Sequence, residues 1–235
     1  MDPLIEELKG CDGGRILDVA CGHGDFLKLL TKSFEEFTEA VGIDTSSERI
    51  EQAKETCPEA IRFQVMDASA MEYPDNHFDT VAIRHSLHHL PNVGLVLDEM
   101  KRVLKPGGRF IVCEVTQAPE TERENSHRHA HHWWARVSRS KGETHNETFT
   151  ADEVRAAVSP LNLKEMRHLE YLEEITEEEM PKAIEGIIEL NAKFIDELTE
   201  SEADIDLISE GKTISAILQR DGLTPESVYY IFGRK

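Results

Sequence analysis

Basic residues are scarce in this chain: 26 Lys and Arg stand against 46 Asp and Glu, a formal charge of -20 over 235 residues. Gripping a phosphate backbone takes clustered cations, so direct nucleic-acid binding is not expected. Cysteine is sparse too. Cys11, Cys21, Cys57 and Cys113 include no C-x-x-C pair, which excludes a zinc ribbon and a disulfide framework and suits reduced thiols in a cytosol. No apolar run reaches the roughly 20 residues of a membrane span. The opening "MDPLIEELKG" is acidic where a secretory leader would be basic. These absences together predict a soluble, cytoplasmic protein without a membrane span. Internal repeats and low-complexity linkers are missing as well.

What is present is an alternation of short β-rich apolar runs with helical patterns between Arg15 and Glu114, the rhythm of βαβ units feeding a parallel sheet. Strands are expected at "RILDVA", "EAVGID", "IRFQVMD", "FDTVAIR" and "RFIVCEV", and helices at Asp25–Thr31, Ser46–Thr56 and Asn92–Leu104. Ser46 can cap the second helix. "KPGG" at Lys105–Gly108 is a turn that stops the third helix and starts the fifth strand. After Val115 a polar stretch rich in His and Arg holds both tryptophans of the chain and reads as an insertion or lid. The rhythm resumes with a helix near Thr150–Val158 and a strand near Leu163–Leu172. An acidic helical stretch follows from Ile175 to Gln219, with Ile184, Ile187, Ile188, Leu190, Phe194, Ile195 and Leu198 at helical spacing. "SVYYIFGRK" reads as a last strand. The expectation is an α/β fold with a doubly wound, mostly parallel, seven-stranded Rossmann-like sheet and a late helical insertion or cap. It forms a single domain over 1–235, with a cofactor-binding core at 1–115, a His/Trp-rich lid or acceptor segment at 116–149 and an acidic helical insertion at 173–220.

Within "RILDVACGHGDFLKLL", Gly22 and Gly24 follow a strand and precede a helix, so backbone amides can approach a ligand. Asp44 closes the next strand, where a carboxylate meets ribose hydroxyls in doubly wound sheets. A dinucleotide fingerprint would need a third glycine, and Leu27 stands there instead, which disfavours NAD and FAD. The ordered set "LDVACGHG", "VGIDTS", "VMDASAM", "FDTVAIRHSLHHL" and "MKRVLKPGGRFIV" resembles the class I S-adenosylmethionine-dependent methyltransferases, most closely the ubiquinone/menaquinone-type branch of small-molecule methyltransferases. The resemblance covers Leu4–Val115 closely and fades after it. Ala20 departs from it, standing where the family often has glycine.

The resemblance implies S-adenosyl-L-methionine as cofactor and a small-molecule methyl acceptor. Asp18 would anchor the glycine turn and the methionyl amino group, and Ala20, Gly22 and Gly24 would allow close backbone approach. Asp44, flanked by Thr45, would accept from the ribose. Asp67 and Ala68 would meet the adenine, and Arg84 would lie near the methionine end through its backbone. Because the sulfonium is already activated, alignment and desolvation carry most of the catalysis, and only some acceptors need a base. His85 and His88, just past the fourth strand, are the candidates for that base, while Cys21 and His23 shape the turn. The second histidine cluster, His127, His129, His131 and His132 with His145 farther on, invites a metal reading because i and i+4 histidines share a helix face, but no carboxylate is fixed at a matching spacing, so no metal is assigned. His132, Trp133 and His145 could wall the acceptor pocket, with lid packing as the alternative. The acidic helices read as a solvated face, a cap over the acceptor site or a homodimer contact. Two other activities stay open: methylation of a basic protein segment by an acidic groove, and a non-catalytic S-adenosylmethionine-binding module for a partner.

Overall fold

The computed structural model of the chain describes residues 3–117, 126–173, 175–201, 205–224 and 226–235. Residues 118–125 of the His/Trp-rich segment and 202–204 of the acidic stretch lie outside them. Seven strands form one sheet: β1 (Arg15–Val19), β2 (Glu39–Asp44), β3 (Ile61–Val65), β4 (Phe78–Arg84), β5 (Leu104–Thr116), β6 (Lys164–Glu173) and β7 (Glu226–Arg234), in the spatial order β3-β2-β1-β4-β5-β7-β6. The ladders β3·β2, β2·β1, β1·β4 and β4·β5 are parallel. Helices α1 (Pro3–Leu8), α2 (Asp25–Ser33), α3 (Ser47–Thr56), α4 (Val93–Val103), α5 (Ser126–Ser140), α6 (Ala151–Val158), α7 (Met180–Glu200) and α8 (Ile205–Asp221), with short 3₁₀ turns at Leu87–His89 and Ser159–Leu161, complete the described elements. None of these helices is long and apolar enough to cross a membrane.

The central strands are buried almost end to end, whereas β3 at the sheet edge alternates buried and exposed residues. That contrast is the one expected between a strand covered on both faces and an edge strand. Ile16, Leu17, Val19, Ile43, Val81 and Ile83 are sealed from solvent, each contributing roughly 1.5–3 kcal/mol by burial. Sequence order reverses direction across the sheet between β1 and β4, which makes the carboxyl ends of these two strands the switch point where such sheets open a crevice.

The elements expected from sequence are found with small shifts. Ser46 caps α3 by accepting from the Arg49 amide, and Asn92 caps α4 by accepting from Leu95. β3 stops at Val65, two residues early, and the Met66 amide continues to the Asp44 carbonyl. "KPGG" is absorbed into the start of β5, where the ladder to β4 slips register between Phe78 and Thr80 and Gly107 takes a φ of 77°. Helix α1 was not foreseen. It buries Leu4 and Leu8, too few apolar positions in six residues for a periodic signal.

The chain divides into two compact units. One comprises Met1–Glu114, Ala151–Tyr171 and Tyr229–Lys235; the other comprises Val115–Thr150 and Leu172–Val228. The second is built on α5, α7 and α8 around Ala130, Trp133, Val137, Leu198, Ile214 and Leu218. Phe194 and Ile195 of α7 pack against that core, and Glu185, Glu189 and Asp196 face outward. Trp133 is fully buried, and its indole N–H donates to the Leu207 carbonyl at 2.9 Å. Trp134 donates to Asn191, which donates to Ser215, which donates to the Gly211 carbonyl, so a fully buried asparagine ties the three helices with its polar groups matched.

Gly211 is the notch that receives the Trp133 ring: a Cβ there would lie 2.3 Å from Cζ2 of the indole. Alanine favours helix over glycine by about 1 kcal/mol, yet Gly211→Ala is expected to lower stability by about 1–3 kcal/mol because the indole has nowhere to move. A denaturant titration decides between the two, and a variant at least as stable as the wild type would contradict the notch.

Candidate active site

The loop between β1 and α2 runs Ala20-Cys21-Gly22-His23-Gly24, and three of these residues have left-handed backbones: Ala20 (φ 54°), Gly22 (φ 52°) and Gly24 (φ 81°). For Ala20 this conformation costs roughly 1–2 kcal/mol, which explains why glycine is easier at that position. The two glycines are needed for different reasons. A Cβ on Gly24 would sit 2.6 Å from the Phe63 ring and 2.9 Å from Cys57 Sγ, so this glycine is demanded by packing. A Cβ on Gly22 would meet no described atom within 4 Å. Gly22 instead keeps backbone exposed to open space. Gly42, in the middle of β2, carries a packing demand not read from sequence, since a Cβ there would fall 2.7 Å from Cys21 Sγ and 2.8 Å from Phe63.

The loop is pinned from three sides. The Gly22 amide donates to Asp44 Oδ2 at 3.0 Å, the Cys21 amide to the Ile43 carbonyl at 2.9 Å, and Ser86 Oγ reaches the Ala20 carbonyl at 3.3 Å. Asp44 Oδ1 also takes the Ser46 amide at 2.8 Å, orienting the carboxylate at the end of β2, while neighbouring Thr45 is exposed. Helix α2 begins at Gly24 with no side-chain cap of its own, and the Leu27 amide in its first turn donates to the Asp18 carboxylate. Burial pushes the Cys21 thiol well up, and Asp18 and Asp44 push the same way, which leaves it protonated and inert, as suits a turn-shaping residue.

Asp18 lies in the middle of the sheet, opposite Gly42 on one side and Ala82 on the other, and is 1% exposed. Its Oδ2 has no hydrogen-bond partner among the described residues. Burial drives its pKa well above the usual carboxylate range, against the opposing Arg84 charge and together with Asp44. A buried carboxylate with one idle oxygen has capacity left for a hydrogen-bond donor or a cation. Arg84, at the end of β4, spreads its guanidinium over the Phe26 ring at 5.6 Å.

Past β3, Asp67 is exposed and its Oδ1 accepts the Ser69 amide at 2.8 Å, which holds its pKa low, while Ala68 is buried. The segment they begin is tied down by Arg102 of α4, a residue without a sequence signal of its own. It donates to the Met71 and Tyr73 carbonyls and to Glu99 and Asp75, and Glu99 in turn accepts the Met71 amide.

Beyond β4 the chain turns through His85, whose φ of 48° is unusual for a non-glycine residue, and enters a 3₁₀ turn at Leu87–His89. The His85 amide donates to the Cys113 carbonyl at 2.8 Å, and its Nε2 receives the Arg84 Nε at 3.4 Å. His88 is 2% exposed and its Nδ1 lies 2.9 Å from Glu114 Oε1; the other oxygen of Glu114 accepts the Leu87 amide at 2.7 Å. Glu114 is fully buried. In sequence it was one residue of an apolar strand, and the clue available was a carboxylate interrupting "FIVCEV".

The remaining expected residues lie in the helical unit. His132 Nε2 is 2.9 Å from Thr148 Oγ1, and burial lowers its pKa. His145 is buried, edge-on to His131 and 3.3 Å from Ser138 Oγ. Trp133 points the other way, into the core of its own unit, in the position of the packing alternative. The structure therefore brings Asp18, Ala20, Gly22, Gly24, Asp44 and Arg84 together and does not gather His132, Trp133 and His145 onto one wall.

An αβ sheet with a glycine turn, a carboxylate with an idle oxygen and a second carboxylate at the end of the next strand belongs to the doubly wound class, whose ligand crevice opens at this switch point. Residues 17–112 match a family described as a methyltransferase domain. The demethylmenaquinone methyltransferase of Staphylococcus saprophyticus is 36% identical over 120 residues, covering 50% of this chain and 51% of that one, so the chain matches about half the length of the curated relatives. Among solved structures, the YcgJ protein of Bacillus subtilis superposes with a TM-score of 0.62 at 20% identity, covering 99% of this chain and 96% of that one. Phosphoethanolamine N-methyltransferase 2 of Haemonchus contortus, solved with S-adenosyl-L-methionine, gives 0.57 at 16% identity over 99% of this chain and 51% of its own. Residues 17–112 are thus similar to a methyltransferase domain, and a solved structure of like fold holds S-adenosyl-L-methionine. The idle Asp18 oxygen, the open space at Gly22 and the lack of a third glycine all fit this phosphate-free ligand.

Two outcomes check this division of labour. Gly24→Ala is expected to cost about 2–4 kcal/mol of stability through left-handed strain plus the Phe63 clash. Gly22→Ala should cost only about 1 kcal/mol while weakening S-adenosylmethionine binding; denaturation and calorimetry on both variants test the pairing. For Asp18, the folded pKa lies above the unfolded one, so the folded state binds the proton more tightly and stability falls as pH rises from about 4 toward the folded pKa. Asp18→Asn should abolish that fall, leaving the ligand-free protein more stable at neutral pH by about 1–3 kcal/mol and a poorer binder. A variant less stable at pH 7 than at pH 4 by the wild-type margin would contradict it.

Proposed function

We propose that the protein transfers the methyl group of S-adenosylmethionine to a small hydroxylated aromatic acceptor of the quinol type and releases S-adenosylhomocysteine. The observation that carries the cofactor half is the cradle of Asp18, Gly22 and Asp44. The acceptor half is supported by the 36% identity to a demethylmenaquinone methyltransferase. A quinone ring carbon is electron-poor, whereas its reduced, hydroxyl-bearing form is a carbon nucleophile, so the reduced form is the substrate.

When bound, S-adenosylmethionine supplies a methyl group on sulfonium, activated for in-line displacement. Asp18 Oδ2 would take the methionyl ammonium, which satisfies the buried carboxylate by charge pairing. Gly22 leaves room for that approach, together with Ala20 and Gly24, and the Arg84 backbone borders the methionine end. Asp44, with Thr45 beside it, would receive the ribose hydroxyls. The Asp67 carboxylate and the Ala68 backbone would read the adenine amine and ring. His85 and His88, at the carboxyl edge of the sheet, are the groups able to take a proton from the acceptor. The matched residues stop with the cofactor core, so acceptor choice rests on 116–149 and 173–220, with His132, Trp133 and His145 among the residues that tune it. The whole of 1–235 works as one methyltransferase.

Calorimetry should show S-adenosylmethionine binding to the wild type, weakened about 10- to 100-fold in Asp44→Ala by loss of a charge-assisted partner. Mixing without heat would overturn the cofactor assignment. Methyl transfer onto a reduced short-chain demethylmenaquinone, followed by S-adenosylhomocysteine release, tests the acceptor. Release with basic peptides and none with quinols or other small molecules would replace it by a protein acceptor.

A further inference from the structure

Away from the cofactor crevice, the unit that carries the sheet holds a cavity of about 200 Å³ between α1, β5, β6 and β7. Arg109 of its lining pairs with Thr80 near the start of β4, whereas Cys113 pairs with Arg84 at the end of β4. The cavity therefore lies at the amino edge of the parallel strands, about 13 Å along β5 from the edge where the crevice opens. Its floor is apolar, since Leu8, Phe110, Ile111 and Phe232 are buried. Its walls carry five charged side chains: Glu7, Arg109, Glu165, Arg167 and Arg234. Arg167 pairs with Glu7, and Arg234 pairs more loosely with Glu165 at 4.0 Å. Arg109 is left over. Its Nη1 donates to the Asp12 carbonyl at 3.1 Å and its guanidinium lies 5.8 Å from the Phe34 ring centre, and among the described residues no carboxylate stands at ion-pair distance from it. Glu165 also holds a left-handed backbone (φ 49°) within β6, a strained conformation of the kind retained beside ligands.

We infer that this cavity is a second binding site, for a small carboxylate with a flat apolar body. The site is independent of the methyl acceptor. Because Arg109 spends Nη1 on the Asp12 carbonyl, its Nε–H and Nη2–H edge is the one open to a ligand, and that edge matches a carboxylate with two parallel hydrogen bonds. Three guanidiniums against two carboxylates leave the lining with one positive charge, in a chain whose net charge is -20. A monoanion balances that charge. A phosphate dianion would bring one negative charge too many beside Glu7 and Glu165, and a neutral ligand would leave Arg109 without a counterion. The apolar floor takes the body of the ligand, and its low polarity strengthens the ion pair above it. At about 200 Å³ the cavity is smaller than the roughly 300–1,000 Å³ of a drug-sized pocket, so the occupant is a single-ring molecule or its equivalent.

The test titrates sodium benzoate into the whole protein at constant ionic strength and follows the methyl NMR signal of Ile111, assigned by its loss in Ile111→Val. The signal should move and saturate with a Kd on the order of 1 mM or below. Neutral benzamide at equal concentrations should leave it in place. Arg109→Gln should weaken benzoate at least about 10-fold, and Arg109→Lys, which keeps the charge but loses the fork, by a smaller factor. Calorimetry with S-adenosylmethionine should give the same affinity with and without saturating benzoate, as expected of ligands at opposite edges of the sheet. No saturable shift in the wild type overturns the inference, whether or not Arg109→Gln folds. Unchanged benzoate affinity in a folded Arg109→Gln does so too, as does benzamide binding as tightly as benzoate or benzoate that displaces S-adenosylmethionine. Inorganic phosphate that moves the same signal at lower concentration than benzoate overturns the choice of a carboxylate.

Discussion

Carboxylates buried at the carboxyl edge of a parallel sheet are the constraint on which the rest of this structure depends. Such a group must find donors or change its protonation state, and the three in this sheet meet the requirement in three ways. Asp44 takes two backbone amides, from Gly22 and Ser46, and in doing so fixes the glycine turn against β2. Glu114 takes one backbone amide and one imidazole, and so fixes the turn after β4 against β5. Asp18 keeps one oxygen without a donor, at the cost of a raised pKa. The first two organise the rim of the crevice, and the third keeps capacity for one more donor.

The surrounding packing serves these loops as much as the core. Gly24 and Gly42 let Phe63, Cys21 and Cys57 close beneath the turn, while Ser86 joins the turn to the end of β4. Arg102 holds the segment after β3 through two carbonyls and two carboxylates. A site made of loops gains its precision from such second contacts, since the loops have no ladder of their own. Left-handed residues at Ala20 and His85 show that the rim also stores some backbone strain.

Legibility from sequence followed the range of the interactions. The strands, the capped helices and the carboxylates Asp18 and Asp44 were readable because each is announced within a few residues, by an apolar run ending in a turn or by a glycine pair after a strand. The histidines past β4 were readable as candidates for the same reason. Glu114 was not, because its partner stands 26 residues away and its own strand looks like any buried one. Trp133 was ambiguous for a related reason: a lid wall and a core anchor have the same local sequence, and only the notch at Gly211 on another helix separates them.

By itself the sequence determined the alternation of strands and helices, the order of the motifs and the phosphate-free character of the cofactor turn, because hydrophobic period, glycine placement and the missing third glycine are local properties of the chain. The tertiary structure alone decided which oxygen of Asp18 stays without a donor, which glycine answers to packing and which to open space, and which histidine is paired with a buried carboxylate. Those outcomes depend on groups brought together across the sheet, where burial and hydrogen-bond geometry, rather than spacing along the chain, set the chemistry.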